Sequence, residues 1–166
     1  MDVTTAIKGR RSIRKYVKKD LPEKTLSEVL EAARAAPSAA NRQSWELVAV
    51  KGPELKAELV AACKNQKFVE DCSVFLAGIE DPQQKWGKVD LTIAIDHITL
   101  EAHARGLGTC WIGAFDPAKV GEILGVPANR QVAVCLTLGY PDEAPEARTR
   151  KHLNELVHYD RYGTRQ

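Results

Sequence analysis

The sequence predicts an α+β fold, on three observations. Apolar segments switch between helical and extended spacing in the order helix, helix, strand, helix, strand, long helix, strand, helix, strand, not in the regular alternation of a parallel α/β sheet. No Gly-x-Gly-x-x-Gly follows a predicted strand, so a Rossmann dinucleotide site is not supported. The 166 residues suffice for one well-packed core and are too few for two ordinary domains. With no internal repeat or linker, a single domain over residues 1–166 is expected.

Residues 2–8 are read as a short helix that delivers a basic loop. Asp20 is expected to cap a second helix, with Pro22 in its first turn, Glu23 at the capping-box position and Leu26, Val29, Leu30 and Ala33 on its buried face. Pro37 ends it. Trp45 to Val50 reads as a strand, and Gly52-Pro53 turns the chain into a helix carrying Leu55, Leu59, Val60 and Cys63. Ser73 to Ile79, bounded by Asp71 and Asp81-Pro82, reads as a buried strand. After a short loop at 81–87, Lys88 to Arg105 forms the longest helix. Apolar on most sides, it should be buried on most sides, as a core helix or one that also faces a partner subunit. Gly106-Leu107-Gly108 closes it. Thr109 to Ile112 is a short strand leading to Gly113. Asp116-Pro117 opens a helix that Gly125 ends. Gln131 to Leu138 is a strand closed by Gly139-Tyr140-Pro141. Residues 142–150 form a polar arm, and 152–162 a short helix or tail.

A hydrophobic share of 44% and a charged share of 28% are ordinary for a soluble globular chain. The net charge of +2 gives no bulk electrostatic case for nucleic acid or membrane, and the basic clusters lack interleaved aromatics. Asp96, His97, Glu101 and His103 interrupt the most apolar helix, which is therefore no membrane span. Cys63, Cys72, Cys110 and Cys135 form no Cys-x-x-Cys pair, and no signal peptide is visible. A cytoplasmic protein with reduced thiols is expected.

Chemistry concentrates in two stretches. Lys8-Gly9-Arg10-Arg11-Ser12-Ile13-Arg14-Lys15 holds five cations, a hydroxyl and a glycine, a donor set suited to a phosphate or other oxyanion. Ala36 to Trp45 follows a helix and is dense in polar donors. A second basic cluster at 148–151 could grip the same phosphate if the chain ends meet. Nucleophilic catalysis lacks a motif: Ser12 and Ser38 have no nucleophile elbow, and Cys110 reads as a small buried hydrophobe. His97 and Glu101 share a helix face, but His103 points elsewhere and no His-Glu-x-x-His is present, so no metal is expected. Without redox or acid–base groups of its own, an enzyme built this way would leave the hard step to a cofactor.

Four segments, in order, resemble the nitroreductase family of FMN-dependent oxidoreductases: Arg10-Arg11-Ser12-Ile13-Arg14, Ala35 to Trp45, Gly106 to Gly113, and Arg148-Thr149-Arg150-Lys151 with His158-Tyr159. They span roughly residues 6–163. The resemblance implies a mostly antiparallel central sheet flanked by helices and a homodimer with its long helix at the interface. It implies two FMN sites shared between subunits. Arg10, Arg11, Ser12 and Arg14 would hold phosphate and ribityl, with Arg150 and Lys151 closing on the phosphate. Pro37, Ser38, Asn41 and Gln43 of the other subunit would line the ribityl and isoalloxazine edge. Ile112 and Gly113 would lie by the ring, with a backbone N–H near the hydride-accepting nitrogen and no side chain at Gly113 to block approach.

The implied activity is ping-pong transfer from NADH or NADPH, through FMN, to a small-molecule acceptor such as a nitroaromatic or quinone. An FMN carrier or sensor, and a flavin enzyme with a protein electron donor, are the alternatives. Two departures stand out. Gln43-Ser44-Trp45 replaces the family's Gln-Pro-Trp, losing a fixed φ, and His152 stands where Pro is common. The short 80–87 stretch, where longer members carry a lid, implies an open flavin face. Gln66 and Lys67 are further residues that could reach the cofactor.

Overall fold

The computed structural model describes residues 1–165; only Gln166, the last residue of the expected domain, lies outside them. Five strands form one sheet: β1 (Tyr16–Val17), β2 (Trp45–Val50), β3 (Val74–Glu80), β4 (Gly108–Ile112) and β5 (Gln131–Pro141). Every ladder is antiparallel. β5 pairs with β1, β3 and β4, and β3 pairs with β2. One isolated parallel bridge, Ser12 to Thr109, ties the N-terminal loop to β4.

Every residue of β3 is buried, because helices cover both faces of the sheet. The period of two sorts its side chains. Phe75, Ala77 and Ile79 join a core with α3 (Pro53–Ala62), α4 (Phe68–Asp71) and α6 (Pro117–Leu124). Val74 and Leu76 join the opposite core, with α2 (Glu23–Arg34) and α5 (Gly87–Ala104). Helix α1 (Val3–Gly9) packs near the C-terminal end of α5, and α7 (Leu153–Leu156) lies in the C-terminal arm. No helix among the described residues is long and apolar enough to cross a membrane.

The expected caps are partly realised. Asp116 accepts from the Ala118 and Lys119 amides, with Pro117 opening α6, and Gly125 closes it at φ 67°. Asp20 does not cap α2: Pro22 itself is the N-cap in an extended conformation, and no side chain bonds the first turn. The 152–162 segment, expected as a short helix or tail, holds one short helix over Leu153–Leu156, where His152 and Glu155 make a capping box before extended Val157 ends it. Strand β5 runs three residues past the expected Leu138 because β1, too short to show a period, pairs with Tyr140 and Pro141. The four-residue α4 was equally invisible.

Helix α5 is buried along Asp90, Leu91, Ala94, Ile95, Ile98, Thr99 and Ala102. Its other side is not covered within the protomer, where Val89 is 46% exposed. Val3 and Ile7 of α1, and Leu153, Leu156 and Tyr162 of the arm, are exposed as well.

Candidate functional site

The structure brings both basic clusters to one cleft. Arg10, Arg11, Ser12 and Arg14 face Arg148 and Arg150 across a cavity of about 650 Å³ that Lys8, Glu143 and Glu146 also line. Six cations stand against two carboxylates there, a balance that favours an anion. Lys151 is exposed beside it.

Backbone pairing fixes this loop. Ile13 N–H donates to the Thr109 carbonyl at 2.9 Å. Gly108 makes the approach possible, since a Cβ there would come within 2.7 Å of the Ile13 side chain. From the other end of the chain, Glu143 accepts the Arg14 backbone N–H. The sequence held no signal for Glu143, because the two residues are 129 apart in the chain.

The arginines divide their work. One terminal nitrogen of Arg11 donates to the carbonyls of Lys8, Gly9 and Arg10 at 2.7, 3.0 and 3.0 Å, closing the end of α1. Its Nε is buried without a partner. The Arg10 and Arg14 guanidinium groups have no carboxylate or hydrogen-bond partner among the described residues, so they remain available to a ligand. His103, at the end of α5, packs so tightly on Gly9 that a Cβ there would lie 2.5 Å from its Nε2. Burial, and then the charges of Arg11 and Arg10, push its pKa below the usual histidine range.

Pro37, Ser38, Asn41 and Gln43 are elsewhere. Their loop contains a 3₁₀ turn, Ala39–Asn41, and carries left-handed backbone at Ala40, Asn41 and Gln43, with φ of 50°, 54° and 52°. Such φ is costly for residues other than glycine. Two bonds hold it: Gln43 N–H donates to Ser38 Oγ at 3.1 Å, and Ala39 N–H to Asp90 Oδ1 at 3.0 Å. Asp90 is only 3% exposed. Its signal in the sequence was a lone acid on an otherwise apolar helix face. Asp90 and His103 stand at opposite ends of α5, and thirteen residues at 1.5 Å each separate them by about 20 Å. The two cavities that Arg10 lines share no residue with the one that Ala39 and Arg42 line.

Ile112 is buried at the end of β4. Gly113 follows it on the surface, where a Cβ would meet nothing within 4 Å. Neither lines the Arg10 cleft. Gln66 holds the next segment, donating to the carbonyls of Cys63 at 2.8 Å and Ala114 at 2.9 Å. The helix polar groups expected to be structural are bonded locally, with Glu101 pairing Arg105 at 2.6 Å and His97 Nδ1 lying 3.3 Å from the Ala32 carbonyl oxygen.

All four cysteines are free and buried. Burial raises each thiol pKa, Cys63 to about 11 and Cys72 to about 12. For Cys110, Arg14 and Arg10 oppose that rise without cancelling it. Iodoacetamide at pH 8 should therefore leave the native protein unlabelled and add four groups after denaturation, read by intact mass; rapid native labelling would contradict the burial. Unfolded thiols also release protons near pH 9 that folded ones keep, so stability should decline as pH rises from there toward 11.

A family model described as the nitroreductase family matches residues 7–77 and 62–140. A Thermus thermophilus protein named NADH dehydrogenase is 32% identical over 195 residues, covering 95% of this chain and 95% of that one. The solved structure of nitroreductase A from Vibrio parahaemolyticus superposes with a TM-score of 0.91 at 30% identity, covering 98% of this chain and 77% of its own. That of NADPH:FMN oxidoreductase from Vibrio harveyi, complexed with NAD+, gives 0.90 at 30% identity, covering 96% and 77%.

Proposed function

Because the chain belongs to the nitroreductase family, we propose that it is an FMN-dependent NAD(P)H oxidoreductase working as a homodimer. The observation that carries this reading is the cleft in which the Arg10–Arg14 loop meets Arg148 and Arg150. Its donor set fits a phosphate monoester: the buried Arg11 Nε lacks a partner, and the Arg10 and Arg14 side chains are uncommitted. Arg10, Arg14 and Arg150 would hold the phosphate by charge-assisted bonds, with the Ser12 hydroxyl as a further donor. Arg11 would act mainly by closing α1 beneath it, and Lys151 would add charge at the rim.

The second copy follows from the placement of the two loops. If α5 pairs antiparallel with its twin across a two-fold axis, the Asp90 end of one copy meets the His103 end of the other. That would set Pro37, Ser38, Asn41 and Gln43 of one subunit beside Arg10 and Ser12 of its partner. The same contact would cover Val89, and the arm would lay Leu153 and Leu156 on the partner.

When bound, FMN supplies hydride transfer from NADH or NADPH and then to a nitroaromatic, quinone or similar acceptor in a ping-pong cycle. Ile112 and Gly113 would lie by the flavin ring, where the open space around Gly113, in which a Cβ would meet nothing within 4 Å, leaves room for approach. The short turn at residues 81–86 adds no lid.

The visible spectrum of the protein saturated with FMN, followed by anaerobic NADH and NADPH, tests the reading. Flavin bands that bleach with either nucleotide are expected. Bands that persist would favour a carrier or a protein electron donor. A protein that takes up no FMN would overturn the proposal.

A further inference from the structure

We propose that Gln66 is a positioning residue for the backbone N–H at Gly113, and that it thereby sets how readily a bound flavin is reduced. The flavin in this proposal rests on the oxidoreductase reading. The clamp is built wholly within one protomer, from bonds already made.

The clamp starts where α3 ends. The chain turns there through Lys64 and Asn65, both left-handed, at φ of 55° and 59°. Neither is glycine, and such turns in other residues carry a cost that surrounding contacts must offset. What the turn delivers is Gln66. Its Nε2 donates to the Cys63 carbonyl at 2.8 Å and to the Ala114 carbonyl at 2.9 Å. A primary amide nitrogen carries a hydrogen for each of these bonds and none to spare. A second tie follows at Asp116, whose N–H donates to the Ala62 carbonyl at 2.8 Å. Phe115, between them, packs against the core that α3, α4 and α6 share. The stretch from Gly113 to Asp116 joins β4 to α6 without secondary structure of its own, and it is docked on the end of α3.

That docking fixes the backbone beyond β4. Thr109 spends its carbonyl on Ile13 of the N-terminal loop, so its backbone groups face away from β5. In an antiparallel ladder this direction alternates by residue, and Trp111 and Gly113 point to the same edge as Thr109. The Gly113 N–H therefore faces the side of β4 that the Arg10–Arg14 loop pairs with. Gln66 draws the following Ala114 carbonyl toward α3, and a planar trans peptide turns the Phe115 N–H away from α3. A Cβ on Gly113 would meet nothing within 4 Å, so packing within the protomer does not hold this turn. Without Gln66, the peptides around Gly113 are free to rotate and set a carbonyl where an N–H stood. Reduction adds negative charge to a flavin ring, which a fixed N–H stabilises and a carbonyl opposes.

The test uses the parent protein, Gln66→Met and Gln66→Glu. Methionine keeps the length and has no donor, and an ionised glutamate only accepts. The midpoint potential of bound FMN, measured beside the Kd for oxidised FMN, reads the role. In both variants the affinity for reduced FMN should fall about tenfold relative to that for oxidised FMN, which is about 30 mV for a two-electron couple. In FMN-free protein, amide hydrogen exchange at Asp116 should be about tenfold faster in the variants, as the loop is released. Faster exchange with an unchanged potential would make Gln66 a stabilising residue only and overturn the proposal. So would unchanged exchange, or a Gln66→Glu protein with the parent's potential. A parent protein that takes up no FMN would overturn the oxidoreductase reading and this role together. A parent that binds and reduces FMN, beside variants of equal potential, would overturn this role alone.

Discussion

Gly139→Ala is expected to destabilise the fold by about 2–3 kcal/mol, which for a chain of this size lowers Tm by about 5–10 °C. Gly139 pairs with Gly108 where β5 is crossed by the N-terminal loop. A Cβ there would stand 2.9 Å from the Ser73 backbone nitrogen and 3.0 Å from both Ser73 Oγ and Tyr16 Cδ1. Neither neighbour is free to yield. Ser73 leads into β3, and its hydroxyl donates to the Lys19 carbonyl at 2.6 Å. The Tyr16 hydroxyl is held 2.8 Å from both the Ile13 carbonyl and Thr137 Oγ1. Gly113→Ala is the control: with open space around it, it should change stability by less than about 0.5 kcal/mol. Thermal and urea unfolding of the two variants should separate them clearly. If Gly139→Ala melts with the parent, the Ser73–Tyr16 wall is softer than its bonds imply.

Arg10→Ala is expected to weaken FMN binding by about 1.5–3 kcal/mol, roughly 10–150-fold in Kd. Its guanidinium lines the cleft and has no internal partner, so truncation removes a ligand contact and little else. Arg11→Ala should behave differently. Its three bonds to carbonyls at the end of α1 put the loss mainly into stability, about 1–2 kcal/mol. Fluorescence titration with FMN, paired with urea unfolding, reads both quantities. Unchanged affinity in Arg10→Ala would remove that residue from the site. Equal losses of affinity in the two variants would mean that Arg11 leaves the helix end when the ligand arrives.

The elements with a clear period or a cap were legible. The all-buried run of β3, the Asp116-Pro117 start of α6 and the long apolar α5 each bring enough local information to identify themselves. Tyr16–Val17 could not, because a two-residue strand exists only through its partner Tyr140-Pro141. Asp20 misled because it is a good cap by type, while Pro22 holds the extended conformation at the actual boundary. For the site, the basic clusters were visible as charge, while their meeting was a condition that the residues left open and only the family resemblance implied. Glu143 and Asp90 were not anticipated: each bonds a single backbone N–H, of Arg14 and Ala39, across a long stretch of chain. Such contacts add no period of their own, and of the two residues only Asp90 left a trace, as an acid on an otherwise apolar helix face.

The bond from Arg14 to Glu143 has a consequence for biosynthesis. β5 takes β1, from the start of the chain, as a partner, the Arg14–Glu143 bond lies just beyond it, and contacts of such long sequence separation form slowly. On the ribosome, residues 10–14 emerge early and must wait while more than a hundred further residues are added. Until both are made, the arginine loop lacks its strand edge at Thr109 and its acidic anchor at Glu143. Translation must therefore pass residue 143 before the Arg14 N–H has its acceptor, and residue 150 before both walls of the cleft are present.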